Sequence, residues 1–466
     1  MAIDNVEHHA TQVTIGRRSP GPTIQELLDD EVVPIPPVLR QESFFDLGSD
    51  DLPTDHYYSR ERHDLEVEHV WKKTWQMACR EEDIPLVGDT IVYDIADSSL
   101  LVVRVAPNRI KAYHNSCLHR GRQLRVADGA VPEFRCPFHG FTWNLDGELV
   151  DIPCEWDFPH VDRAEHALPE ALTDSWGGWV FINMDLQALP LMEYLGDFVD
   201  HWKPWPMEEK VKAVHVVKPL PCNWKVAMEA FIESYHVIAT HPQILLSLGD
   251  ANTEYDIYPG QEHWNRMITA TGVASPHITY EVTEQDIFDG ITNAAMDRGP
   301  DEPSFLEVPE DMTARRFLAN AARLQIGMQT NRQVECTDSE AIDSIEYYVF
   351  PNFVPWGAYA RIVYRFRPNG NDPESSIMDV MLMSPYPEGN KPEPAKPHHL
   401  TLEDDWCEAP ELGMLATIFN QDTSNLSAVQ RGLRASVKGA VTLANYQESR
   451  IRHYHQVLDR YIDGGR

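Results

Sequence analysis

The chain has 466 residues, of which 42% are hydrophobic and 24% charged, so it is long enough for two or three globular domains. Its formal net charge of −34 argues against nucleic acid and anionic membranes as partners. The first residues lack the apolar core of a signal peptide, and no stretch reaches the roughly 18 apolar residues of a membrane span. The sequence therefore predicts a cytoplasmic protein.

The N-terminal part of the chain shows little regular periodicity. Residues 1–55 are rich in proline and acidic residues, which predicts an extended arm, partly ordered by packing on the body or on a neighbouring subunit. Within residues 56–84 we expect a helix that begins after Ser59, a suitable N-cap, and packs on the body. The packed side should carry the apolar residues Leu65, Val70 and Trp71.

Short alternating runs follow, namely DTIVYDI, SLLVVRV and IKAYHN. An Asp146-Gly147 pair predicts a further hairpin, and the β pattern continues to WGGWVFINM. Residues 85–185 are thus predicted to form a small antiparallel β domain. Residues 186–466 combine helical segments such as PLMEYLGDFVDHW with long strands such as IMDVMLMSP, which predicts an α+β domain built on an antiparallel sheet.

Two cysteine–histidine pairs form the first candidate site. Cys117 is followed two residues later by His119, and Cys136 is followed three residues later by His139. A zinc finger groups its cysteines and its histidines separately, whereas each short loop here offers one thiolate and one imidazole. Two thiolates on one iron and two neutral imidazoles on the other form the ligand set of a Rieske-type [2Fe–2S] cluster. The imidazoles should lie near the surface, where electrons can enter and leave.

A zinc site, or two unrelated loops, remain alternatives for these four residues. Gly121 and Gly140 favour the cluster because glycine lets the backbone approach inorganic sulfide, and Pro137 stiffens the second loop. Seven cysteines scattered over a long chain do not indicate a disulfide framework. The other five are interpreted as reduced core thiols: Cys79, Cys154, Cys222, Cys336 and Cys407.

The segment CNWKVAMEAFIESYHVIATHPQ, residues 222–243, carries the second candidate site. Its periodicity predicts a helix from about Asn223, on which Glu233 and His236 share a face. His236 and His241 lie about 140° apart on an ideal helix, so a shared metal would require the helix to unwind or bulge between them. Two imidazoles and a carboxylate on one side of an ion form the facial triad of non-haem Fe(II) oxygenases. An amphipathic helix with two surface histidines is the alternative.

Both motifs resemble those of one protein family. CLHRG followed by CPFHGFTW resembles the Rieske box, and NWK…E-x-Y-H-V-x3-H is similar to the mononuclear iron motif of the same proteins. From about residue 57 onward the chain resembles the large (alpha) subunit of a Rieske non-haem iron ring-hydroxylating oxygenase. The resemblance implies an α+β fold, with a small antiparallel β Rieske domain plus a catalytic domain of the helix-grip type, whose antiparallel sheet is flanked by helices. It implies these ligands: Cys117, His119, Cys136 and His139 for the cluster, and His236 and His241 for the iron.

The third iron ligand should be a carboxylate from the C-terminal part of the chain. FNQDTSNLSAVQRGL, residues 419–433, resembles the family's third-ligand segment, and Asp422 takes the matching position. An aspartate before Thr-Ser-Asn is also a good helix N-cap, which is the alternative for Asp422. Asp404 and Asp405, in LEDDW, are competing carboxylates.

Glu233 departs from the family pattern, since members usually have aspartate three residues before the first iron-binding histidine. In the family this carboxylate connects a cluster-ligating histidine of one subunit with an iron-ligating histidine of the next. Here Glu233 would connect His139 of the partner subunit with His236. The extra methylene changes the reach, and an ordinary exposed glutamate on a helix is the alternative.

The resemblance implies an oxygenase that uses O2 and NADH-derived electrons to hydroxylate, singly or as a cis-diol, an apolar or aromatic small molecule. Its cofactors would be the [2Fe–2S] cluster and a mononuclear Fe(II). The chain has no nucleotide-binding G-x-G-x-x-G after a strand and no plant-type ferredoxin motif, so a separate flavin reductase, with or without a ferredoxin, should deliver the electrons. A homotrimer, with or without a small beta subunit, is implied because distance favours electron transfer between subunits.

Three other functions are alternatives for this sequence. Oxidative O- or N-demethylation is known in the same family and uses the same iron site. A Rieske electron carrier without catalysis would leave His236 and His241 unexplained, and a zinc-binding protein would lack iron and sulfide.

Overall fold

The structure is a computed structural model that describes residues 19–295 and 306–464. None of the helices in these two ranges is long and apolar enough to cross a bilayer. The helices are α1 (Ile24–Asp29), α2 (Arg60–Glu66), α3 (Leu191–Leu195), α4 (Phe198–His201), α5 (Trp224–Glu229), α6 (Val237–Thr240), α7 (Glu284–Ala295), α8 (Ala314–Thr330), α9 (Asp338–Ile342), α10 (Leu415–Ala435) and α11 (Ser449–Ile462).

The strands form several small and medium sheets. The strands before residue 190 are β1 (Leu52–Pro53), β2 (Gln76–Arg80), β3 (Thr90–Ile95), β4 (Ser98–Ala106), β5 (Arg109–His114), β6 (Phe134–Arg135), β7 (Thr142–Trp143), β8 (Leu149–Asp151), β9 (Glu170–Trp176) and β10 (Trp179–Asn183). The later strands are β11 (Lys210–Leu220), β12 (Glu254–Asp256), β13 (Trp264–Thr269), β14 (Ser344–Val349), β15 (Val354–Pro355), β16 (Ile362–Asn369), β17 (Asp372–Pro385), β18 (His398–His399) and β19 (Ala440–Val441).

The first large sheet has the strand order β2-β10-β9-β5-β4-β3, and all of its pairs are antiparallel. A second sheet, β6-β7-β8, is also antiparallel and contains the predicted hairpin, whose turn uses Gly147 at φ +85°. The predicted small antiparallel β unit is therefore confirmed. The first sheet also contains strand β2, which was predicted to lie in a helical segment.

The helix expected after Ser59 is shorter than predicted. The Ser59 side chain caps α2, but the helix widens into a π-helical turn over Val67–Trp71 before β2 begins. Val70 and Trp71 are buried, whereas Leu65 is 36% exposed. The prediction that Leu65 shares their packed side is wrong, because a π-helical turn contains an extra residue and shifts the phase of the side chains.

The main sheet of the C-terminal part has the order β15-β16-β17-β11-β18, and β12-β13-β14 form a further sheet. All pairs are antiparallel except β11 with β18, which run parallel, so the expected antiparallel sheet has one exception. Alternate residues of β17 face two different cores, with Val380 and Leu382 on one side and Met381 and Met383 on the other. Helices α5, α10 and α11 contribute to the first core, and α1, α3 and α4 to the second. Helices thus cover both faces of the sheet.

The described part of the N-terminal arm packs on its own chain. The Gln25 side chain donates to Glu254, and the Arg266 guanidinium donates to the carbonyl of Val38 at 2.6 Å. Strand β1 pairs with β19 near the C-terminus. Residues 1–18 of the predicted arm lie outside the described residues.

The seven cysteines are all free, but the interpretation of five of them as core thiols is partly wrong. Cys79, Cys222 and Cys336 are buried, whereas Cys154 and Cys407 are exposed. Cys154 precedes a short surface turn and has φ +56°, and Cys407 lies in the turn between β18 and α10.

A buried ionic group joins the two parts of the chain. The Asp379 carboxylate on β17 accepts two hydrogen bonds from Arg365 (2.7 and 3.1 Å) and lies 2.9 Å from Nε2 of His215. Arg365 also donates to the carbonyl of Ala78 on β2. Burial by itself would raise the pKa of Asp379, but the guanidinium groups of Arg365 and Arg367 hold it well below its usual value. The carboxylate is therefore charged and depends on its arginine partner.

We expect Arg365→Met to lower the free energy of unfolding by about 3–5 kcal/mol, because it leaves the Asp379 charge buried without its bidentate partner. Urea denaturation followed by circular dichroism measures this loss. The double variant with Asp379→Asn should lose less than the sum of the two single losses. Strictly additive losses would show that the pair is not coupled.

Candidate metal centres

The two cysteine–histidine loops have the same backbone geometry. In the first loop the Gly121 amide donates to the Cys117 carbonyl at 2.8 Å. In the second loop the Gly140 amide donates to the Cys136 carbonyl at 3.0 Å. The backbone amide of each cysteine, Cys117 and Cys136, also donates to the carbonyl of the residue five positions later in the chain, at 2.8 Å in both loops. Both glycines have positive φ, +75° and +85°, which closes each turn without a side-chain clash. Two matched turns therefore present one cysteine and one histidine each.

Short strands fix these loops in place. The first loop follows β5, and the second lies between β6 and β7. Both cysteines are buried in one apolar core together with residues such as Phe134, Phe141 and Trp143. The thiols are thereby removed from water.

The two imidazoles lie side by side at the outer edge of the loops. The ring centroids of His119 and His139 are 4.7 Å apart, and Phe141 stacks on His119 at 4.8 Å. His139 is exposed and His119 is half-buried, which confirms that the imidazole edges lie near the surface. Nδ1 of His119 is buried and has no hydrogen-bond partner.

The electrostatics of this group fit a cluster with two sulfur and two nitrogen ligands. Burial, followed by the charges of His139 and Arg120, lowers the pKa of His119, so its ring is neutral and can act as a ligand. Burial also raises the pKa of the Cys117 thiol, and the neighbouring Cys136 side chain raises it further. A bound iron would deprotonate such thiols. An unpartnered Nδ1 on a neutral ring beside two paired thiols is the arrangement that a Rieske cluster requires.

The second candidate site depends on an interrupted helix. Helix α5 is capped by the Asn223 side chain and ends at Glu229, and the four-residue helix α6 begins only at Val237. His236 immediately precedes α6 and His241 immediately follows it. The unwinding that a shared metal would require is therefore present.

Asp422 approaches these histidines from a distant helix. It lies in the middle of α10 and is 5% exposed, so the interpretation as an N-cap is wrong. The competing Asp405 instead caps a short turn by accepting from the amide of Cys407 at 2.8 Å, and Asp404 accepts from the amide of Thr401 at 2.6 Å.

The structure brings the three predicted iron ligands together. His236, His241 and Asp422 form a group of three potential ligands for a single metal ion, and their ligand atoms all lie within 4.8 Å of one another. Oδ1 of Asp422 lies 2.7 Å from Nε2 of His241 and 3.5 Å from Nε2 of His236. The ring centroids are 5.2 Å apart. Two imidazole nitrogens and one carboxylate thus point at a common position.

The other nitrogen of each ring is held by a neighbouring side chain. Nδ1 of His236 lies 2.7 Å from Oε1 of Glu233, and Nδ1 of His241 lies 2.8 Å from Oε1 of Gln421. Metal-binding histidines almost always donate their second N–H to such an acceptor, which fixes the tautomer and the ring orientation. Both rings therefore direct Nε2 toward Asp422.

The contact of Gln421 with His241 was not predicted from the sequence. Gln421 stands next to Asp422, but consecutive residues on a helix point about 100° apart, so adjacency gives no reason to expect a shared site. Only the position of His241 beside α10 reveals the contact.

Glu233 is buried, which excludes an ordinary exposed glutamate. Its side chain is 9% exposed and accepts both from the backbone amide of His236 (3.0 Å) and from Nδ1 of the same residue. Burial alone would lower the pKa of His236, but the hydrogen bond and charge of Glu233 outweigh it and raise that pKa. Glu233 thus orients His236 from within the same chain.

Two aromatic residues lie close in sequence to residues of this site. Phe231 lies two residues before Glu233, and Phe419 lies three residues before Asp422 on the same helix. The rings of Phe231, Phe419 and Tyr364 are 5.2–6.1 Å apart and nearly fully buried. All three rings belong to one buried apolar core.

Two family models match the chain. Residues 74–162 match the Rieske [2Fe–2S] domain, and residues 207–464 match the catalytic domain of the ring-hydroxylating alpha subunit. The chain belongs to the Rieske oxygenase alpha-subunit family. A [2Fe–2S] domain joined to a mononuclear iron catalytic domain is characteristic of this family. The first match includes β2, in agreement with its place in the large antiparallel sheet.

Curated relatives in this family differ in their named substrates. The chain is 27% identical over 259 residues to the glycine betaine monooxygenase oxygenase subunit of Pseudomonas aeruginosa, covering 53% of this chain and 60% of that protein. It is 31% identical over 213 residues to the chlorobenzene dioxygenase alpha subunit of Cupriavidus sp., covering 44% and 47%. The matched region thus spans less than two thirds of each relative.

Solved Rieske oxygenases have the same fold. The quaternary ammonium Rieske monooxygenase CntA in complex with L-carnitine superposes with a TM-score of 0.60 at 17% identity, over 89% of this chain and 96% of that chain. Naphthalene 1,2-dioxygenase from Rhodococcus sp. bound to indole gives 0.59 at 19% identity, over 88% and 94%.

We expect Gly140→Ala to reduce the cluster content per chain more than Gly121→Ala. Both substitutions force a side chain to a positive φ. At Gly140 the added Cβ would also meet Pro153 at 3.0 Å and Arg135 at 3.2 Å, whereas at Gly121 it meets nothing within 4 Å. Visible absorbance of the cluster, divided by protein concentration, measures the difference. Equal cluster contents in the two variants would contradict the expectation.

Proposed function

We propose that this chain is the oxygenase component of a Rieske non-haem iron system, which uses O2 and NADH-derived electrons to hydroxylate a small molecule. The observation that carries the proposal is the convergence of His236, His241 and Asp422. The Nδ1 atom of each imidazole is held by a neighbouring side chain, which orients the ring. Two nitrogens and one carboxylate leave other positions of an Fe(II) ion open, as oxygen chemistry requires.

The proposed cluster ligands are four residues of the two matched loops: Cys117, His119, Cys136 and His139. Residues 85–185 would form the unit that holds the cluster, and residues 186–466 the unit that holds the iron. The cluster and the iron, when bound, would supply electrons to O2 and place oxygen on the substrate.

The protein itself would orient the reacting groups. Glu233 and Gln421 hold the two imidazole rings. Hydroxylation of a C–H bond by O2 consumes two electrons and two protons and releases one water, so electrons must reach the site from outside. Cis-dihydroxylation consumes the same electrons and protons and places both oxygen atoms on the substrate.

The substrate is proposed to be an apolar or aromatic small molecule. Phe231 and Phe419 support this choice, since both are buried and lie within three residues of Glu233 and Asp422, and ligand pockets are lined mainly by apolar and aromatic side chains. The named relatives include a monooxygenase and a dioxygenase, so single hydroxylation and cis-dihydroxylation both stay within the proposal. A demethylase, an electron carrier without catalysis and a zinc-binding protein are not favoured, and the last two would leave the catalytic-domain match at residues 207–464 without a role.

A flavin reductase, with or without a ferredoxin, is the proposed source of electrons, and a homotrimer is the proposed assembly. Glu233 accepts two hydrogen bonds from His236, but a carboxylate has about four acceptor positions and can also bind His139 of the partner subunit. Exposed apolar side chains lie beside both centres, namely Phe138 near the cluster and Tyr235 near the iron site. A contact between subunits would cover them.

Metal analysis tests the proposal directly. The purified protein should contain about three irons and two acid-labile sulfides per chain, because a [2Fe–2S] cluster and one mononuclear iron are bound. Asp422→Asn removes the anionic ligand and should reduce the iron to about two while the sulfide stays unchanged. Zinc without sulfide in the wild type would overturn the proposal.

The matched control for this experiment is Asp405→Asn. Asp405 is the competing carboxylate that caps a turn and does not contact the histidines. This variant should keep all three irons. Loss of the third iron in both variants would show that the effect is one of general stability.

Glu233→Gln should slow oxidation of the reduced cluster by O2 by about 10-fold or more. The amide has a single acceptor oxygen, so it cannot accept from His236 twice and from the partner subunit as well. Stopped-flow absorbance of the reduced protein mixed with O2, with indole as the apolar probe, measures the rate. The third iron should remain in the same preparation, and a rate equal to that of wild type would contradict the bridging role.

A further inference from the structure

The interrupted helix leaves backbone groups that no helix partner satisfies. Residues 230–236 are mostly buried, and a buried carbonyl or amide without a partner is costly. Two of these groups are satisfied by side chains from elsewhere in the chain. Tyr255 Oη accepts from the amide of Ser234 at 2.9 Å, and the Arg450 guanidinium donates to the carbonyl of Ile232 at 3.1 Å.

Arg450 is held rigidly at this point. It lies in α11 and is fully buried. Its Nε donates to Oδ1 of Asn265 on β13 at 2.6 Å, and its Nη1 donates to Oε1 of Glu346 on β14 at 2.8 Å. The planar guanidinium is therefore fixed by two strands, and the same Nη1 also donates to the carbonyl of Ile232, the residue before Glu233, while Nη2 has no partner among the described residues.

We propose that Arg450 is a positioning residue for the mononuclear iron centre. By holding the Ile232 carbonyl, it fixes the turn that directs Glu233 and His236 toward His241 and Asp422. The inference rests on the proposed function, because it supposes that these residues bind iron.

Lysine cannot replace arginine in this role. The guanidinium reaches Asn265, Glu346 and the Ile232 carbonyl through donors in a rigid plane, whereas an ammonium is a single point on a flexible stem. Arg450→Lys keeps a positive charge beside the buried Glu346, so any loss at the iron site cannot be assigned to an uncompensated carboxylate. The turn at residues 230–236 would lose its anchor while the charge balance is kept.

Arg452 offers a matched control on the same helix. It is 4% exposed and donates to the carbonyls of Ala444 (3.1 Å), Asp50 (2.8 Å) and Leu443. None of these partners belongs to the turn at residues 230–236. Arg452→Lys therefore removes a similar buried network without touching the proposed iron site.

The experiment compares wild type, Arg450→Lys and Arg452→Lys as full-length proteins loaded with cluster and iron. Thermal unfolding reports stability, cluster absorbance reports correct folding of the Rieske part, and titration with Fe(II) reports the affinity of the third iron. The EPR spectrum of the ferrous–nitrosyl complex reports the ligand geometry at that iron, which a merely structural role would not change.

We expect Arg450→Lys to keep its cluster and to bind the third iron roughly 10–100-fold more weakly, as is typical when a supporting residue of a metal site is lost. Its nitrosyl EPR spectrum should also change. Arg452→Lys should bind iron and give the wild-type spectrum even if its unfolding temperature falls by a similar amount.

Three results would separate the possible failures. Wild-type iron affinity and spectrum in Arg450→Lys, or equal losses in both variants, would overturn the inference. Absence of a third iron in the wild type would instead overturn the proposed function. If Arg450→Lys does not fold, Asn265→Ala, which removes one anchor of the guanidinium and keeps Arg450, decides by the same measurements.

Discussion

The break between α5 and α6 is the constraint on which the proposed iron site depends. A continuous helix would place His236 and His241 about 140° apart around its axis, where no single ion could bind both. Ending α5 at Glu229 and restarting at Val237 lets both rings approach Asp422. The cost is a buried stretch of backbone that lacks part of its helical hydrogen bonds. Side chains from the β12-β13-β14 sheet and from the last helix supply partners for two of these groups.

That requirement explains why the site is assembled from distant parts of the chain. Helix α10 brings Asp422 and Gln421, strand β12 brings Tyr255, and helix α11 brings Arg450. Each of them either contacts a histidine or satisfies a backbone group near one. The catalytic-domain match extends over residues 207–464, which is the length of chain needed to collect these contributors.

The motifs with short spacing could be recognised from the sequence, because their chemistry is local. The matched loops of Cys117 and Cys136 and the pair His236 and His241 are visible in a single stretch each, and alternation of apolar residues predicted several strands, among them β3, β4 and β5. Contacts over long separations could not be predicted in the same way. The position of Asp422 in mid-helix, and the role of Arg450, become clear only when helices from different parts of the chain are placed together.

Two predictions of local structure were wrong for a similar reason. Leu65 was expected to pack with Val70, but a π-helical turn at residues 67–71 alters the side-chain phase, and no residue type signals such a turn. Strand β2 was not separated from the preceding helix, because all five of its residues are buried by other elements and its sequence, QMACR, has no clear alternation. In both places tertiary packing decides the local structure.

The glutamate at position 233 has a physical reason in this fold. Its two oxygens reach the backbone amide and the ring nitrogen of His236 at the same time, at 3.0 and 2.7 Å. The glutamate thereby holds both the backbone and the ring of the same histidine from a position three residues earlier in the chain. The side chain at this position therefore determines how firmly the first imidazole is oriented, before any contact between subunits is made.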